Sequence, residues 1–428
     1  MTAILRAYGL AARLAGPFLA GRERRKLAAH GISPDRIAER TGQPRLPRPE
    51  GCLIWLHGAS VGETLSILPL LQRLRAQAPG TGFLVTCGTA GAAAILASRL
   101  PGGVMHQFMP LDTSGNARRF LDHWRPDLAI FVESEIWPIH LTALERRGIP
   151  AALVNARLSE KSLTTWARMP RTAGRLFGHF ALIAAQTRPM ASALGDLGAR
   201  RGVMRVGPEL KSLGPPPPVD EPALQALRDW AGMRPLWLAA STHPGEDEIV
   251  LDAHKVLLAA RPDARLVIAP RHPERGGDIA RCATERGLTV ARRATAPAQL
   301  SPGDCAVYVA DTLGEMGLWY ALAPIALIGG SLTQVGGHNP FEAAQLDCAI
   351  LHGPHVANFV AAYDRLTQAD AARAVTDAGG LATALGSAFA EPGAIAAQCE
   401  RARATLVSDS AALDDLARDL RQLISPPQ

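Results

Sequence analysis

Aromatic residues are scarce, with Phe, Trp and Tyr making up 5% of the 428 residues. Single-stranded nucleic acid is held on aromatic platforms set among basic residues, and duplexes by recognisable modules; the chain carries neither. Cysteine is also sparse. Cys52, Cys87, Cys282, Cys305, Cys348 and Cys399 are scattered, mostly within apolar runs, and no CxxC or spaced metal pair occurs. That pattern predicts reduced, buried thiols in a cytoplasmic protein. Cys348, His352 and His355 lack zinc spacing, so neither metal nor cofactor is expected. No apolar run reaches the roughly 20 residues that cross a bilayer. No internal repeat relates the two halves.

What is present is alanine, glycine and a 47% apolar content, which favours closely packed α/β layers over a β-sandwich. The length is too great for one typical core and predicts two domains. The net charge of +6 suits an anionic small molecule or membrane surface. Positive charge gathers at Arg22, Arg24, Arg25 and Lys26, behind a mildly apolar stretch from Ala7 to Ala20 that Arg13 interrupts. Residues 1–30 are read as an interfacial helix, with Ile4, Leu5, Leu10, Leu14, Phe18 and Leu19 dipping into lipid and the arginines meeting headgroups. An ordinary packed helix with a solvated basic end is the plainer alternative.

The chain is organised around Leu53-Ile54-Trp55-Leu56-His57-Gly58-Ala59-Ser60-Val61-Gly62-Glu63. Four apolar residues bounded by glycine predict a buried parallel strand, and Leu65, Leu68, Leu71 and Leu74 then mark a helix. Ligands of open α/β sheets bind outside the carboxyl ends of strands, and this turn delivers Glu63 there. Ser60 to Glu63 is also a capping box, in which serine and glutamate satisfy backbone N–H groups. Glutamine would complete the box but could not accept a proton, which separates the two roles.

Further strands are predicted at Phe83–Cys87, Val104–Met109, Leu128–Val132, Ala151–Asn155, Ala181–Ala185 and Val203–Val206, alternating with helices. Pro215 to Pro218 then break the pattern as a stiff linker. Beyond it, strands are predicted at Leu236–Ala240, Arg265–Ala269, Leu288–Ala291, Ala306–Ala310, Ile325–Ile328 and Ala349–Leu351, with closing helices at Pro392–Leu406 and Ala411–Leu423. Two α/β halves joined by one hinge suggest a cleft.

Gly329-Gly330-Ser331-Leu332 and Gly336-Gly337-His338-Asn339-Pro340-Phe341-Glu342 follow an apolar strand and lead into a helix. Glycine lets backbone approach an anion, and a new helix start directs N–H groups at it. Asn339 as N-cap with Glu342 behind it would equally serve a helix needing no ligand. Asp311-Thr312-Leu313-Gly314-Glu315 and Ser241-Thr242-His243-Pro244-Gly245-Glu246 repeat the strand-end design, Thr312 and Glu315 as a capping box. Pro270-Arg271-His272-Pro273-Glu274-Arg275 offers a guanidinium fork for phosphate or carboxylate. Glu133-Ser134-Glu135 ends a strand of the first half with paired carboxylates.

Together with Ile136-Trp137-Pro138 and Asn155-Ala156-Arg157-Leu158-Ser159, these motifs, in this order, resemble the 3-deoxy-D-manno-octulosonic acid (Kdo) transferases of lipopolysaccharide synthesis. The resemblance covers nearly the whole chain from Leu53. It implies a GT-B fold, two Rossmann-like domains facing across a cleft, with residues 31–212 for the acceptor, a linker at 213–220, and residues 221–428, C-terminal helices included, for the sugar-nucleotide donor. It implies metal-independent, inverting transfer of Kdo from CMP-Kdo to a lipid A precursor at the cytoplasmic face of the inner membrane. Glu63 would be the general base. Ser241, Thr242, Arg271, His272, Gly314, Glu315, Gly336, Gly337, His338, Asn339 and Glu342 would serve the donor, with backbone at Gly336 and Gly337 on the phosphate and Glu342 on ribose hydroxyls. Ser60, Gly62, Glu133, Glu135, Arg157 and Lys211 fall on the acceptor side. The chain departs from the family pattern at Gly207-Pro208-Glu209-Leu210-Lys211-Ser212-Leu213 and at Ile139. Rival readings are another GT-B activity, such as an epimerase or a transferase with a different donor, and a lipid- or nucleotide-binding protein without catalysis.

Overall fold

The computed structural model describes residues 2–295 and 304–424. The organising strand, β1 (Leu53–His57), is buried along its whole length. Its side chains alternate between two cores. Ile54 and Leu56 pack with Ile67, Leu70 and Leu71 of the helix Val61–Gln77. Trp55 faces the other way, 4.8 Å from the Phe120 ring and 5.2 Å from that of Phe131. A strand covered on both faces can tolerate no polar alternation, which is why it reads as a continuous apolar run.

Around β1 lie β2 (Gly82–Cys87), β3 (Met105–Phe108), β4 (Leu128–Val132), β5 (Ala151–Ala156), β6 (Phe180–Ala185) and β7 (Met204–Val206). All pair in parallel, in the order β3-β2-β1-β4-β5-β6-β7. The direction of winding reverses between β1 and β4, which leaves a crevice at their carboxyl ends. The second sheet holds β8 (Leu236–Thr242), β9 (Arg265–Pro270), β10 (Val290–Arg292), β11 (Val307–Val309), β12 (Ile325–Ile328), β13 (Ala349–His352) and β14 (Ala372–Ala374). Its order is β10-β11-β9-β8-β12-β13-β14, again parallel throughout, and its reversal falls between β8 and β12. Every predicted strand is present. The unpredicted one, β14, is a three-residue edge strand with two exposed residues, so it carries no apolar run to read.

The chain divides into two compact units, Met1–Gly214 with Asp409–Gln428, and Pro215–Ser408. This differs from the expected assignment of everything beyond residue 221 to the second half. The two closing helices are one, Pro392–Gln422, because Ser408-Asp409-Ser410 is polar but contains no proline or glycine to stop it. Leu413, Leu416, Ala417 and Leu420 complete the core behind β1. Asp409 accepts from the Ser212 hydroxyl at 2.5 Å and from the Glu209 amide at 3.3 Å.

The amino-terminal helix Ala3–Ala28 buries only Leu5 and Leu27. Leu14 and Phe18 stand 74% and 70% exposed. Among the described residues no helix is long and apolar enough to cross a membrane.

Removing Leu416 should therefore loosen the first unit although it lies near the chain end. Leu416→Ala is expected to lower its unfolding free energy by about 2–5 kcal/mol in urea titrations, the usual range for a buried leucine. An unchanged midpoint would detach this helix from the core.

Candidate active site

At the first crevice the turn after β1 forms the capping box in full. Ser60 accepts from the Glu63 amide at 3.3 Å, and Glu63 accepts from the amides of Ala59 at 2.6 Å and Ser60 at 3.2 Å. Both of the latter bonds fall on Oε2, and the Ser60 side chain also bears on the carboxylate. The carboxylate is half-buried, and burial, followed by the nearby charge of Glu135, pushes its pKa above the ordinary value against the pull of the two amides and the Ser60 side chain. A carboxylate poised this way accepts a proton better than a solvated one. Gly62 is exposed beside it.

Glu135, from the turn after β4, is held by a chain of donors. Its Oε2 lies 3.1 Å from His57 Nε2 and 2.8 Å from Trp137 Nε1. His57 is fully buried; its Nδ1 meets the Thr86 hydroxyl at 2.9 Å, and that oxygen accepts from Trp55 Nε1 at 2.8 Å. His57 Nδ1 also lies 3.1 Å from the Thr86 carbonyl oxygen, so each ring nitrogen faces a group that accepts a hydrogen bond. Burial would raise the Glu135 pKa, but the His57 and Trp137 donors outweigh it and hold the group below its usual value. Two neighbouring carboxylates are thus driven apart in proton affinity, a pattern common to acid–base sites.

Glu133 has φ 56°, a left-handed conformation costly outside glycine. It pairs with Lys211 at 2.8 Å, and its carbonyl accepts from the Arg157 amide at 3.4 Å. Lys211 is therefore part of this edge despite its altered flanks. Glu209 accepts from the Lys211 amide at 3.1 Å, and burial raises its pKa.

The second crevice corrects several expectations. The amides of Gly336 and Gly337 donate to the Gly330 carbonyl at 3.1 and 2.7 Å, so they are not aimed at a phosphate. Those of Gly330, Ser331 and Leu332 donate to Glu246 at 2.7, 3.0 and 2.8 Å. Thr242 is buried, its hydroxyl donating to Asp247 at 2.7 Å while Asp247 pairs with Arg275; it braces the turn and is closed to a ligand. Glu315 occupies the N-cap position of the helix Met316–Leu322 without a side-chain cap, because its carboxylate is taken by Arg293 at 2.8 Å and by the Thr312 hydroxyl. Gly314 supports that turn at φ 87°. The helix Phe341–Gln345 has Pro340 at its N-cap, one residue later than predicted, while Asn339 Oδ1 still accepts from the Phe341 amide at 3.1 Å.

The side chains of this crevice are more open. His338 Nε2 lies 2.8 Å from His243 Nε2 with the rings nearly parallel, 11° apart. One N–H donates to the other lone pair, so both cannot carry charge. Burial, then the charges of His243, Arg271 and His272, lowers the His338 pKa to about 4. Arg271 is exposed, its charge opposing the upward push of burial on Glu342, as does a hydrogen bond from Asn339. His272 is exposed and sits edge-on to His243 at 5.9 Å. Ser241 sits at φ 57° where β8 slips register. Gly329 must be glycine, since a Cβ there would lie 2.5 Å from the Ser241 carbonyl.

The residues missed by sequence reading are His57, Trp137, His243 and Glu246. Each stands within a quoted strand-end motif, but none has a periodicity that reveals its cross-strand partner. Among the described residues no group of three or more His, Cys, Asp or Glu is arranged to hold a metal ion.

Residues 35–213 match the family described as 3-deoxy-D-manno-octulosonic-acid transferase (kdotransferase). The probable mitochondrial 3-deoxy-D-manno-octulosonic acid transferase of Arabidopsis thaliana is 37% identical over 331 residues, covering 76% of this chain and 74% of that protein. The 3-deoxy-D-manno-octulosonic acid transferase of Bordetella pertussis is 33% identical over 371 residues, covering 84% and 85%. A glycosyltransferase from Rickettsia africae superimposes with a TM-score of 0.59 at 11% identity, over 89% of this chain and 100% of that one. UDP-GlcNAc 2-epimerase from Neisseria meningitidis, bound to UDP-GlcNAc, gives 0.57 at 12%, over 87% and 100%. These last two likenesses bear on fold alone, and the fold is GT-B. With its relatives matched across both halves, the chain belongs to the 3-deoxy-D-manno-octulosonic acid transferase family.

Proposed function

We propose that the protein transfers a Kdo residue from CMP-Kdo to a lipid A precursor, with inversion and without a metal ion. The observation that carries the reading is Glu63, half-buried and raised in proton affinity at a strand-end crevice, with both capping amides on one of its oxygens. Oε1 takes the proton of an acceptor hydroxyl as that oxygen bonds to the anomeric carbon, and the bond from that carbon to the cytidylate oxygen breaks. Negative charge then collects on the departing phosphate. With the backbone amides of Gly336 and Gly337 already engaged, Arg271 and the neutral His243–His338 pair are the groups suited to receive it. Glu342, half-buried beside Arg271, suits the ribose hydroxyls. Glu133, Glu135, Arg157 and Lys211 belong to the acceptor's side of the reaction.

The acceptor's membrane is met peripherally in this reading. Leu10, Leu14 and Phe18 recur at four-residue steps and stay exposed. The same helix borders a groove of about 870 Å³ shared with the helices Ser114–Trp124 and Pro138–Arg146. Arg13, Arg118, Arg119, Arg146 and Arg147 line it, Arg147 also pairing with Asp122 at 2.6 Å, and among the described residues no acidic one lines it. Apolar stripe and basic rim together suit an anionic bilayer surface.

Mass spectrometry of a lipid A precursor incubated with enzyme, CMP-Kdo and EDTA should show added Kdo; no product where an established transferase works would sink the proposal. Glu63→Gln should keep or slightly raise the melting temperature, since glutamine still accepts the capping amides, while kcat falls by about 10²–10⁴-fold. The raised Glu63 pKa places the acid limb of the wild-type rate profile above the usual carboxylate range near ~4.3, because activity is lost as Glu63 becomes protonated. Near-wild-type turnover by Glu63→Gln would leave this residue as a cap only. CMP should raise the melting temperature by linkage and UDP should not, and Arg271→Ala should abolish the CMP effect; equal shifts with both nucleotides would redirect the donor assignment. Leu14→Asp with Phe18→Asp should release the chain from phosphatidylglycerol-containing vesicles and leave CMP binding intact, as read by co-sedimentation.

A further inference from the structure

The turn after β12 has the form of an anion nest, yet its anion comes from the chain itself. Glu246 is fully buried, and each of its oxygens accepts two amides: Oε1 those of Ser331 and Leu332, Oε2 those of Gly330 and His243, at 2.7 to 3.0 Å. A glutamate in a helix's first turn is ordinarily explained by the dipole alone. That explanation does not cover this one. Three of its four bonds reach 84, 85 and 86 residues away, to the neighbouring strand's turn.

Because β8 and β12 flank the point where the winding reverses, these bonds tie together the two turns that border the second crevice. His243 is held through its amide on one turn, and the other leads through Gly330 to His338, whose ring meets the His243 ring. The left-handed conformations of Ser241 (φ 57°) and Gly330 (φ 67°) sit in the same pair of turns. For Ser241, which is not glycine, such a conformation persists only where surrounding bonds over-determine it.

We propose that Glu246 is a positioning residue, a built-in anion that occupies the nest and keeps His243 and His338 in register for the donor. The proposal rests on the donor-side reading above. It follows that the amides of Gly330, Ser331, Leu332, Gly336 and Gly337 are already engaged within the chain and are not offered to the donor phosphate.

The test uses the full chain carrying Glu246→Gln, which keeps the shape but turns an amide N–H toward amide donors. Val250→Ala, a buried change one turn further along the same helix, is the stability control. Hydrogen–deuterium exchange across residues 329–339 should accelerate in Glu246→Gln and not in Val250→Ala. CMP affinity should fall by about tenfold or more, the worth of one or two charge-assisted hydrogen bonds, with kcat at saturating donor much less affected. Formate should restore CMP binding to Glu246→Ala by refilling the nest; if that variant does not fold, the glutamine arm decides. Exchange of this segment at the wild-type rate in Glu246→Gln, or equal acceleration in the control, overturns the proposal. If the wild-type chain binds no CMP, the donor assignment fails instead, and the exchange result alone judges Glu246.

Discussion

A carboxylate accepting backbone N–H groups at the end of a parallel strand is the interaction on which both halves depend. Parallel strands stop together along one edge, and the turns that follow expose amides with no ladder partner. Glu63 answers this need after β1 and Glu246 after β8. In each case the residue lies in the first turn of the next helix, where the dipole also favours negative charge.

The two carboxylates then diverge, and the divergence separates architecture from chemistry. Glu246 commits both oxygens, is sealed from solvent, and can do nothing but hold. Glu63 takes both capping amides on one oxygen and stays half-exposed near Glu135, whose ionised state is secured by His57 and Trp137. A capping box is thus no argument against catalysis. What matters is how many lone pairs the cap consumes.

Much of the fold was legible because doubly covered parallel strands must be apolar without interruption, and every predicted run became a strand. The edge strand β14 and the return of the carboxyl-terminal helix were not legible. An exposed three-residue strand has no pattern, and a helix's apolar face does not say which core it will meet. Of the candidate site, Glu63, Glu133 and Glu135 were readable as strand-end carboxylates. Thr242 and the amides of Gly336 and Gly337 were misread, because composition reveals that a donor exists and not where its bond goes.

By itself the order of residues determined two α/β halves, a proline hinge, a carboxylate at the first strand end and a glycine-rich turn in the second half. These are local consequences of hydrophobic period, turn chemistry and capping. Only the tertiary structure decided that the glycine-rich turn is filled by Glu246, that Glu135 is fixed by His57 from a neighbouring strand, and that residues beyond Asp409 belong with the first core. All three are contacts between segments far apart in the chain. A buried polar group must find its partner in space, and no rule of spacing along the sequence names which one it will be.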